Sequence, residues 1–302
     1  MRLLVLIFLL VASAGPAAAQ AVREVPVGQH VDWANRAGAP TRYRSGGISV
    51  SIRARPAADI PDLLEPVVTV DFGGGLPPAQ LTGVPTSPGT EHRFAVGNGP
   101  SGRFLFFQSF SGGAHCCTGM KLVYRDGAGL RTVDFGDWDG GVIDQLPADI
   151  DGDGNLDLVM TDNRFLYAFS SYAASLAPPR IMSVIAGAAV DVSDRPAFRS
   201  YFRRAMEDAR SECTTRGAGN EANGACAAYV ASAARLGRFD EAWRVMLGAY
   251  DRNADWPYVG ECRVPLVGNE CPGNDFVEYD NFPDALRHLL VSAGYVARER
   301  AR

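Results

Sequence analysis

The chain has 302 residues, of which 47% are hydrophobic and 21% are charged. This length and apolar fraction allow a substantial hydrophobic core and predict two domains. The formal net charge is −5 at pH 7. A negative chain of this kind argues against non-specific nucleic-acid binding, which requires a positively charged surface.

The first residues predict export. One arginine is followed by an unbroken apolar run from Leu3 to Ala12, and small residues fill Ala17–Ala19. This pattern is typical of a signal peptide over residues 1–19, cleaved before Gln20. The run is too short to span a bilayer, and no later stretch is long and apolar enough to do so. We therefore expect a periplasmic or secreted protein with no transmembrane anchor.

A β-rich region is expected to follow an irregular leader over residues 20–44. Alternating or short apolar runs separated by glycine and proline predict an antiparallel β domain over residues 45–192. The runs are Ile48–Ile52, Val67–Val70, Phe104–Phe107, Leu122–Tyr124, Leu156–Met160 and Phe165–Phe169.

Two fragments recur in the same order within this region. Thr69–Gly73 is repeated unchanged as Thr132–Gly136, and Arg103–Phe106 returns with one change as Arg164–Tyr167. Their similar spacing suggests a duplicated β unit of roughly sixty residues. Coincidence is the alternative, because the composition of β-strands is biased.

An aspartate-rich loop is the most specific motif of the chain. Asp149, Asp151, Asp153 and Asp157 stand at loop positions one, three, five and nine, with a glycine at six, and Asn155 at seven offers its backbone carbonyl. Hard dications require six to eight oxygen ligands on a tightly curved backbone, and Mg²⁺ suits such an all-protein cage less well than Ca²⁺. The loop therefore predicts a Ca²⁺ cofactor; the alternative is a solvated aspartate turn without metal.

The segment after the loop distinguishes it from an EF-hand. An EF-hand has a glutamate at position twelve and a helix after the loop, whereas here Met160 stands at twelve and Asp157–Val159 reads as a strand. An aspartate-rich loop joined directly to an apolar strand resembles the calcium repeats of integrin-type FG-GAP and VCBS β-propellers, over Phe135 to Asn163. The resemblance implies a calcium site in a propeller-blade-like setting. The expected propeller is incomplete, because a closed propeller needs at least four blades and the sequence shows one such loop and two recurring units.

A second motif lies in a predicted hairpin loop, Ser111–Thr118. Its Ser-Gly-Gly-Ala-His-Cys-Cys turn, followed by a calcium-loop strand, is similar to a group of uncharacterised bacterial exported proteins. Adjacent Cα atoms lie about 3.8 Å apart across a trans peptide, and a relaxed disulfide needs at least about 4.4 Å. A Cys116–Cys117 bond is therefore expected to be a strained brace with an apolar sulfur face. The alternatives are that both cysteines stay free or that one or both form a disulfide between the two domains.

Three sharper interpretations of His115, Cys116 and Cys117 compete with the brace. The pair could be a redox switch, or a thiolate could join His115 at a copper or zinc site. A cysteine nucleophile would need a histidine base that faces the sulfur through space, and a histidine immediately before it is poorly placed. The other histidines available for that role are His30, His92 and His288.

The remaining residues, 193–302, predict a disulfide-stapled all-α domain. Apolar stripes at helical spacing indicate helices over about 198–209, 222–236, 240–250 and 281–293. Six cysteines in an exported chain indicate disulfides. Cys213 with Cys226 and Cys262 with Cys271 is the simplest pairing, and Cys213 with Cys271 and Cys226 with Cys262 is the alternative.

The fold class expected from these patterns is α+β, with a calcium-loop β domain followed by a helical domain. The function that they favour is an exported, calcium-stabilised binding or interaction module of the cell envelope. Its partner would be an envelope protein, a glycan or a small ligand, held at Ser111–Thr118 and the rim of the calcium loop. The alternative is a hydrolase or a thiol-redox enzyme acting through His115, Cys116 and Cys117.

Overall fold

The computed structural model describes residues 21–127, 129–216, 221–258, 260–262, 264, 271–272 and 276–298. The predicted signal peptide, residues 1–19, lies outside them. The described residues form three stacked β-sheets, one layer of helices and a separate two-stranded sheet. The α+β class is therefore confirmed, and the described sheets do not close into a propeller.

The strands run in chain order as follows: β1 Arg23–Glu24, β2 His30–Ala34, β3 Thr41–Ser45, β4 Ile48–Pro56, β5 Leu64–Asp71, β6 Ala79–Thr82, β7 Glu91–Gly99, β8 Gly102–Phe110, β9 Thr118–Asp126, β10 Gly129–Trp138, β11 Asp157–Thr161, β12 Pro179–Ile185, β13 Ala188–Asp191, β14 Glu261–Cys262 and β15 Phe276–Val277. Sheet A has the order β1-β3-β4-β5-β6, and sheet B has the order β10-β9-β8-β7-β2. Sheet C has the order β11-β12-β13, and β14 pairs with β15. Among the strand pairs of the described residues, only β1–β3 is parallel.

Sheet B lies in the middle of the β layers and is buried on both faces. Successive side chains of a strand point to opposite faces. In β8, Leu105 and Phe107 pack into the core against sheet A, whereas Phe104 and Phe106 pack into the core against sheet C. This explains why Phe104–Phe107 is a continuous apolar run rather than an alternating one.

Sheet C is also covered on both sides. Leu158 and Met182 face sheet B, whereas Ile181 belongs to the core formed with the helices, together with Phe165 and Phe198. The helical layer begins immediately after β13 and shares this core with sheet C. The predicted boundary at residues 192 and 193 therefore falls inside a continuous hydrophobic core.

Two expectations about the β region are wrong. Residues 20–44, expected to be an irregular leader, contain β1, β2 and most of β3, because partly buried apolar side chains such as Val31 pack on the core between sheets A and B. Phe165–Phe169, expected to be a strand, contains the end of a 3₁₀ helix, Asn163–Phe165, followed by turns. Its apolar side chains fill the core beneath the helices instead.

The fragment repeat does not mark equivalent positions. Thr69–Gly73 ends a central strand of sheet A, whereas Thr132–Gly136 lies in the edge strand of sheet B. The copies share one local feature, since Asp71 accepts a hydrogen bond from the amide of Gly73 and Asp134 accepts one from the amide of Gly136. The repeat thus encodes the same Asp-to-Gly contact at the end of β5 and at a bulge within β10.

Four helices form the last layer: α1 Arg199–Arg216, α2 Ala222–Arg235, α3 Phe239–Ala249 and α4 Phe282–Ser292. The predicted helices are confirmed, with Asp240 inside the first turn of α3 rather than at its cap. Asn281 caps α4, because its side chain accepts a hydrogen bond from the Asp284 amide. The two-stranded sheet of β14 and β15 was not expected, so the region is not entirely helical.

Disulfides join Cys213 to Cys226 and Cys262 to Cys271, with Cα–Cα distances of 4.6 and 5.6 Å. The first pairing connects α1 to α2 and confirms the simplest prediction. The loop between Cys262 and Cys271 lies largely outside the described residues. Among the described helices, none has the length and apolar composition needed to cross a bilayer.

The two-sided burial of sheet B predicts a large cost for opening its core. Phe106 is fully buried between sheets B and C. We expect Phe106→Ala to lower the free energy of unfolding by about 3–5 kcal/mol, through lost apolar burial and a residual cavity. Urea denaturation measures this. Ile60→Ala is the matched control, because Ile60 is 52% exposed and its truncation should change stability by less than about 0.5 kcal/mol. Equal effects of the two changes would contradict the layered packing.

Candidate functional site

The aspartate-rich segment forms a closed loop at the start of sheet C. Ala148 and Asp157 exchange two backbone hydrogen bonds, of 3.0 and 2.7 Å, which bring the ends of the loop together. Asp149 then accepts hydrogen bonds from the amides of Gly152 and Gly154, at 2.9 and 3.1 Å. Both glycines have left-handed backbone angles, at φ +78° and +87°, which other residues rarely adopt. The loop geometry therefore follows from its Asp-Gly spacing.

Three of the predicted ligands converge. One carboxylate oxygen from each of Asp149, Asp151 and Asp153 lies within 4.8 Å of the others. Asp153 is anchored by accepting a hydrogen bond from the Asn155 amide at 2.8 Å. Hydrogen bonds from Asn155 and Arg195 lower the pKa of Asp153 to about 2. Asp153 is therefore charged across the physiological pH range. A nearby cation would offset its repulsion with the neighbouring carboxylates.

Arg195 supplies part of that positive charge. Its Nη1 donates to Asp151 Oδ2 at 2.8 Å and to Asp153 Oδ2 at 2.6 Å. Arg195 directly precedes the 3₁₀ helix Pro196–Phe198, which leads into α1. This ion pair, which the sequence alone did not indicate, connects the loop to the helical layer.

Asp157 occupies a different environment from the other three aspartates. Its side chain is fully buried at the start of β11, opposite Ser183 of β12. Oδ2 accepts a hydrogen bond from the Ile150 amide at 3.0 Å, whereas Oδ1 has no hydrogen-bond partner among the described residues. Burial raises the pKa of Asp157, and the nearby charges of Asp151 and Asp153 raise it further.

The donor set fits a hard dication. Every predicted side-chain ligand offers oxygen, as Ca²⁺ requires, and three of these carboxylates already converge. Asn155 lies in the same loop, where its backbone carbonyl was predicted to contribute. If bound, Ca²⁺ would be held by Asp149, Asp151 and Asp153 and would supply the positive charge that Arg195 now provides in part.

The second predicted site, the Ser111–Thr118 loop, is exposed and held in place by hydrogen bonds. Ser111 Oγ donates to the Cys116 carbonyl and accepts from the Cys117 amide, each at 2.6 Å. The His115 carbonyl accepts a hydrogen bond from the Gly140 amide at 2.7 Å. The backbone of the loop is therefore fixed. Residues 112–116 are exposed, whereas Thr118 is fully buried.

Cys116 and Cys117 are joined by a disulfide, as the brace interpretation predicted. The peptide between them is cis rather than trans. Because both sulfur atoms are bonded, neither is the thiolate that a nucleophile or a copper or zinc site requires. The redox interpretation stays a hypothesis, since Cys116 is exposed.

His115 belongs to a surface cluster of aromatic rings. Its ring centroid lies 4.1 Å from that of Tyr172 and 5.9 Å from that of Tyr167. Tyr167 is 44% exposed and has a left-handed backbone at φ +59°, which is strained for a residue with a side chain. Its carbonyl accepts a hydrogen bond from Trp256 Nε1 at 3.1 Å. Strain of this kind is often found at functional positions.

The other histidines lie apart from the Cys116–Cys117 pair. His30 donates to the Asp144 carbonyl at 2.9 Å, and the His288 ring stacks on Tyr279. His92 is fully buried in the sandwich, where its ring nitrogens lie 3.3 Å from Ser109 Oγ and 3.4 Å from Thr86 Oγ1. None of the three is placed as a base for these cysteines.

The chain is similar to a family described as sll0997 C-terminal domain, which matches residues 202–294, from α1 to α4. It is 41% identical over 198 residues to the probable thylakoid lumen protein sll0997 of Synechocystis sp., covering 64% of this chain and 56% of that protein. It is 35% identical over 198 residues to the uncharacterized protein y4bJ of Sinorhizobium fredii, covering 66% of this chain and 31% of that protein. The chain thus spans about half and about a third of these two relatives' lengths. No solved structure matches.

The buried His92 predicts a specific loss of stability in acid. Burial lowers the pKa of His92 to about 4 from 6.5. As the pH falls, the unfolded chain takes up this proton first, so the stability provided by neutral His92 is complete above about pH 6.5 and is lost between 6.5 and 4. The loss should reach about 3 kcal/mol.

Denaturation curves from pH 4 to 8 measure this loss. His92→Gln should be less stable at neutral pH but should show a flatter profile between pH 4 and 6.5. His115→Gln, which changes an exposed ring, should keep the slope of the parent. A His92→Gln profile as steep as the parent's would refute the assignment.

The exposure of the cysteines predicts the order in which the disulfides open. Cys116 is exposed, whereas Cys213 and Cys226 are fully buried. Alkylation followed by mass spectrometry should find no free thiol without reductant, and mild reductant should label Cys116 and Cys117 before the buried pair. Earlier labelling of Cys213 or Cys226 would contradict this structure.

Proposed function

We propose that the protein is an exported, calcium-stabilised binding module of the cell envelope, and that it performs no catalytic step. The convergence of the Asp149, Asp151 and Asp153 carboxylates within 4.8 Å is the observation that carries the calcium part. The likeness of this loop to FG-GAP and VCBS calcium repeats belongs to the same proposal. Calcium would act structurally, by neutralising a loop that closes the start of sheet C and contacts Arg195 ahead of α1.

Two observations support export. All six cysteines are in disulfides, and such bonds persist in oxidising compartments outside the cytoplasm. A relative is named a probable thylakoid lumen protein, and that lumen is separated from the cytoplasm by a membrane. A periplasmic or secreted location fits both observations.

The binding role is supported by the rigid exposed loop Ser111–Thr118. Rigid aromatic side chains are effective anchors for a partner because little conformational entropy is lost when they are covered. His115, Tyr167 and Tyr172 form such a group, and the Tyr172 hydroxyl donates to Asp139 Oδ2 at 2.5 Å, which fixes its ring. The partner would be an envelope protein, a glycan or a small ligand.

A thiol-redox enzyme is the second candidate, and the exposure of the bonded Cys116 favours it. A redox role predicts that Cys116→Ala/Cys117→Ala keeps the melting temperature of the parent but fails to restore the phenotype of a strain that lacks the protein. A brace predicts a lower melting temperature for the same variant. The hydrolase alternative gains no support, because His115 packs on Tyr172 and both sulfur atoms are bonded.

A melting curve with and without chelator tests the calcium part. Calcium at a hundredfold excess over its dissociation constant should stabilise the fold by about 2.7 kcal/mol, and EDTA should reverse the gain. Asp151→Asn/Asp153→Asn should lose the calcium response, because two ligand charges are removed.

Asp59→Asn is the matched control, since Asp59 is an exposed aspartate outside the loop; it should respond to calcium like the parent. Magnesium at the same concentration should stabilise the parent less. If the parent melts at the same temperature in calcium and in EDTA, the calcium part of the proposal fails.

A further inference from the structure

A cavity of about 460 Å³ lies between the edge of sheet A and the surface of sheet B, with three charged side chains on a lining that is otherwise largely apolar. Its wall is the segment Thr82–Pro85, which follows β6, and its floor is formed by residues of β8, β9 and β10. The volume falls within the range of small-molecule sites, which runs from about 300 to 1,000 Å³. The cavity contains neither the aspartate-rich loop nor the His115 cluster.

Unequal coverage of sheet B by sheet A creates this cavity. β6 is the last strand of sheet A, so the outer part of sheet B continues beyond it. Phe107, Lys121 and Asp134 are paired in register across β8, β9 and β10. Phe107 is buried in the core, whereas Asp134 is 59% exposed. The Phe107 end of this row therefore lies in the hydrophobic core, and the Asp134 end lies at the solvent-exposed side of the cavity.

Lys121 provides the positive charge of the cavity. It is the only lysine in a chain with 29 basic residues, so arginine is used wherever else a basic side chain occurs. Its Nζ donates to the Thr82 carbonyl at 2.9 Å and lies 3.8 Å from Asp134 Oδ2. An ammonium group has three donors, so at least one N–H is available for an anionic oxygen.

Asp137 adds a second carboxylate to the floor. Two residues before Lys121 in β9, Gly119 stands opposite Asp137. A Cβ on Gly119 would lie 3.0 Å from Asp137 Oδ1 and 3.5 Å from Val84 Cγ2. The absence of a side chain at Gly119 thus leaves space between the carboxylate and the apolar wall. The cavity offers one ammonium, two carboxylates and apolar surface from Val84 and Pro85.

Buried hydrogen bonds fix the wall. Ser109 Oγ accepts from the Val84 amide at 2.7 Å and faces His92 at 3.3 Å. His92 faces Thr86 Oγ1 at 3.4 Å, which accepts from Asn35 at 2.9 Å. Ser109 is 2% exposed, so this chain of polar groups supports the wall rather than presenting a nucleophile. A preformed wall reduces the entropy lost when a ligand binds.

We propose that this cavity binds a small zwitterion of the free α-amino acid class. The ligand carboxylate pairs with Lys121, the ligand ammonium pairs with Asp134 and Asp137, and an apolar side chain lies against Val84 and Pro85. A simple anion would meet two carboxylates, and a simple cation would meet the lysine, whereas a zwitterion satisfies both signs. Such a ligand would be the one bound by the proposed binding module, so this proposal rests on the binding role but not on the calcium site.

Isothermal titration of the full chain with L-leucine tests this inference, with N-acetyl-L-leucine and L-leucinamide as analogues that lack one charge each. Free L-leucine should bind, and each analogue should bind at least about tenfold more weakly, because one charge-assisted contact is lost. A panel of glycine, L-glutamate and L-arginine then defines the preferred side chain.

Three variants locate the site. Asp137→Asn keeps the shape of the side chain and should weaken L-leucine binding by about tenfold or more. Lys121→Met should do the same, and Gly119→Val should block the cavity. Asp59→Asn, on an exposed surface outside the cavity, should bind like the parent. Circular dichroism spectra and melting curves of each variant separate lost binding from lost folding.

The inference is overturned if none of the four amino acids binds at millimolar concentration, or if both blocked analogues bind as tightly as L-leucine. It is also overturned if folded Asp137→Asn binds like the parent. Titrations in calcium and in EDTA distinguish this failure from failure of the calcium proposal. The cavity residues are separate from the aspartate-rich loop, so L-leucine binding by protein that does not respond to calcium would support the cavity alone.

Discussion

Sheet B packs against sheet A through Leu105 and Phe107 and against sheet C through Phe104 and Phe106. Sheet C in turn packs on the helices through Ile181. Sheets B and C therefore each contribute side chains to two hydrophobic cores, one on each face. Burial of apolar surface is the dominant favourable term in folding, so the position of every loop depends on this stacking order.

The stacking order determines where the aspartate-rich loop lies. It joins sheet B to the first strand of sheet C, and Arg195 reaches it from the start of the helical layer. A cluster of carboxylates at such a junction would loosen two layers by mutual repulsion if it were not neutralised. The Arg195 guanidinium offsets part of that repulsion and links the loop to the helices. Tyr295 and Asp162 form a second contact between these layers, at 3.0 Å.

The layering also explains where ligands can bind. The closely packed sheets leave room where one layer ends before the next, as sheet A does at β6. The cavity above Lys121 lies at that edge. The Ser111–Thr118 loop connects β8 to β9, immediately beyond the Ser109 and Gly119 pair of the cavity floor. The exposed rings and the charged cavity therefore lie along the same end of sheet B.

The sequence by itself determined the elements whose causes are local. The Asp-Gly spacing encoded the turn at Asp149 and apolar stripes encoded α1 to α4, because these depend on neighbours within a few residues. It also indicated the Cys213–Cys226 bond. Only the tertiary structure decided that the leader joins the sheets and that Phe165 lies in a 3₁₀ helix. The positions of Arg195, Tyr167 and Lys121 were likewise unpredictable, because contacts between residues far apart in the chain depend on how the layers stack.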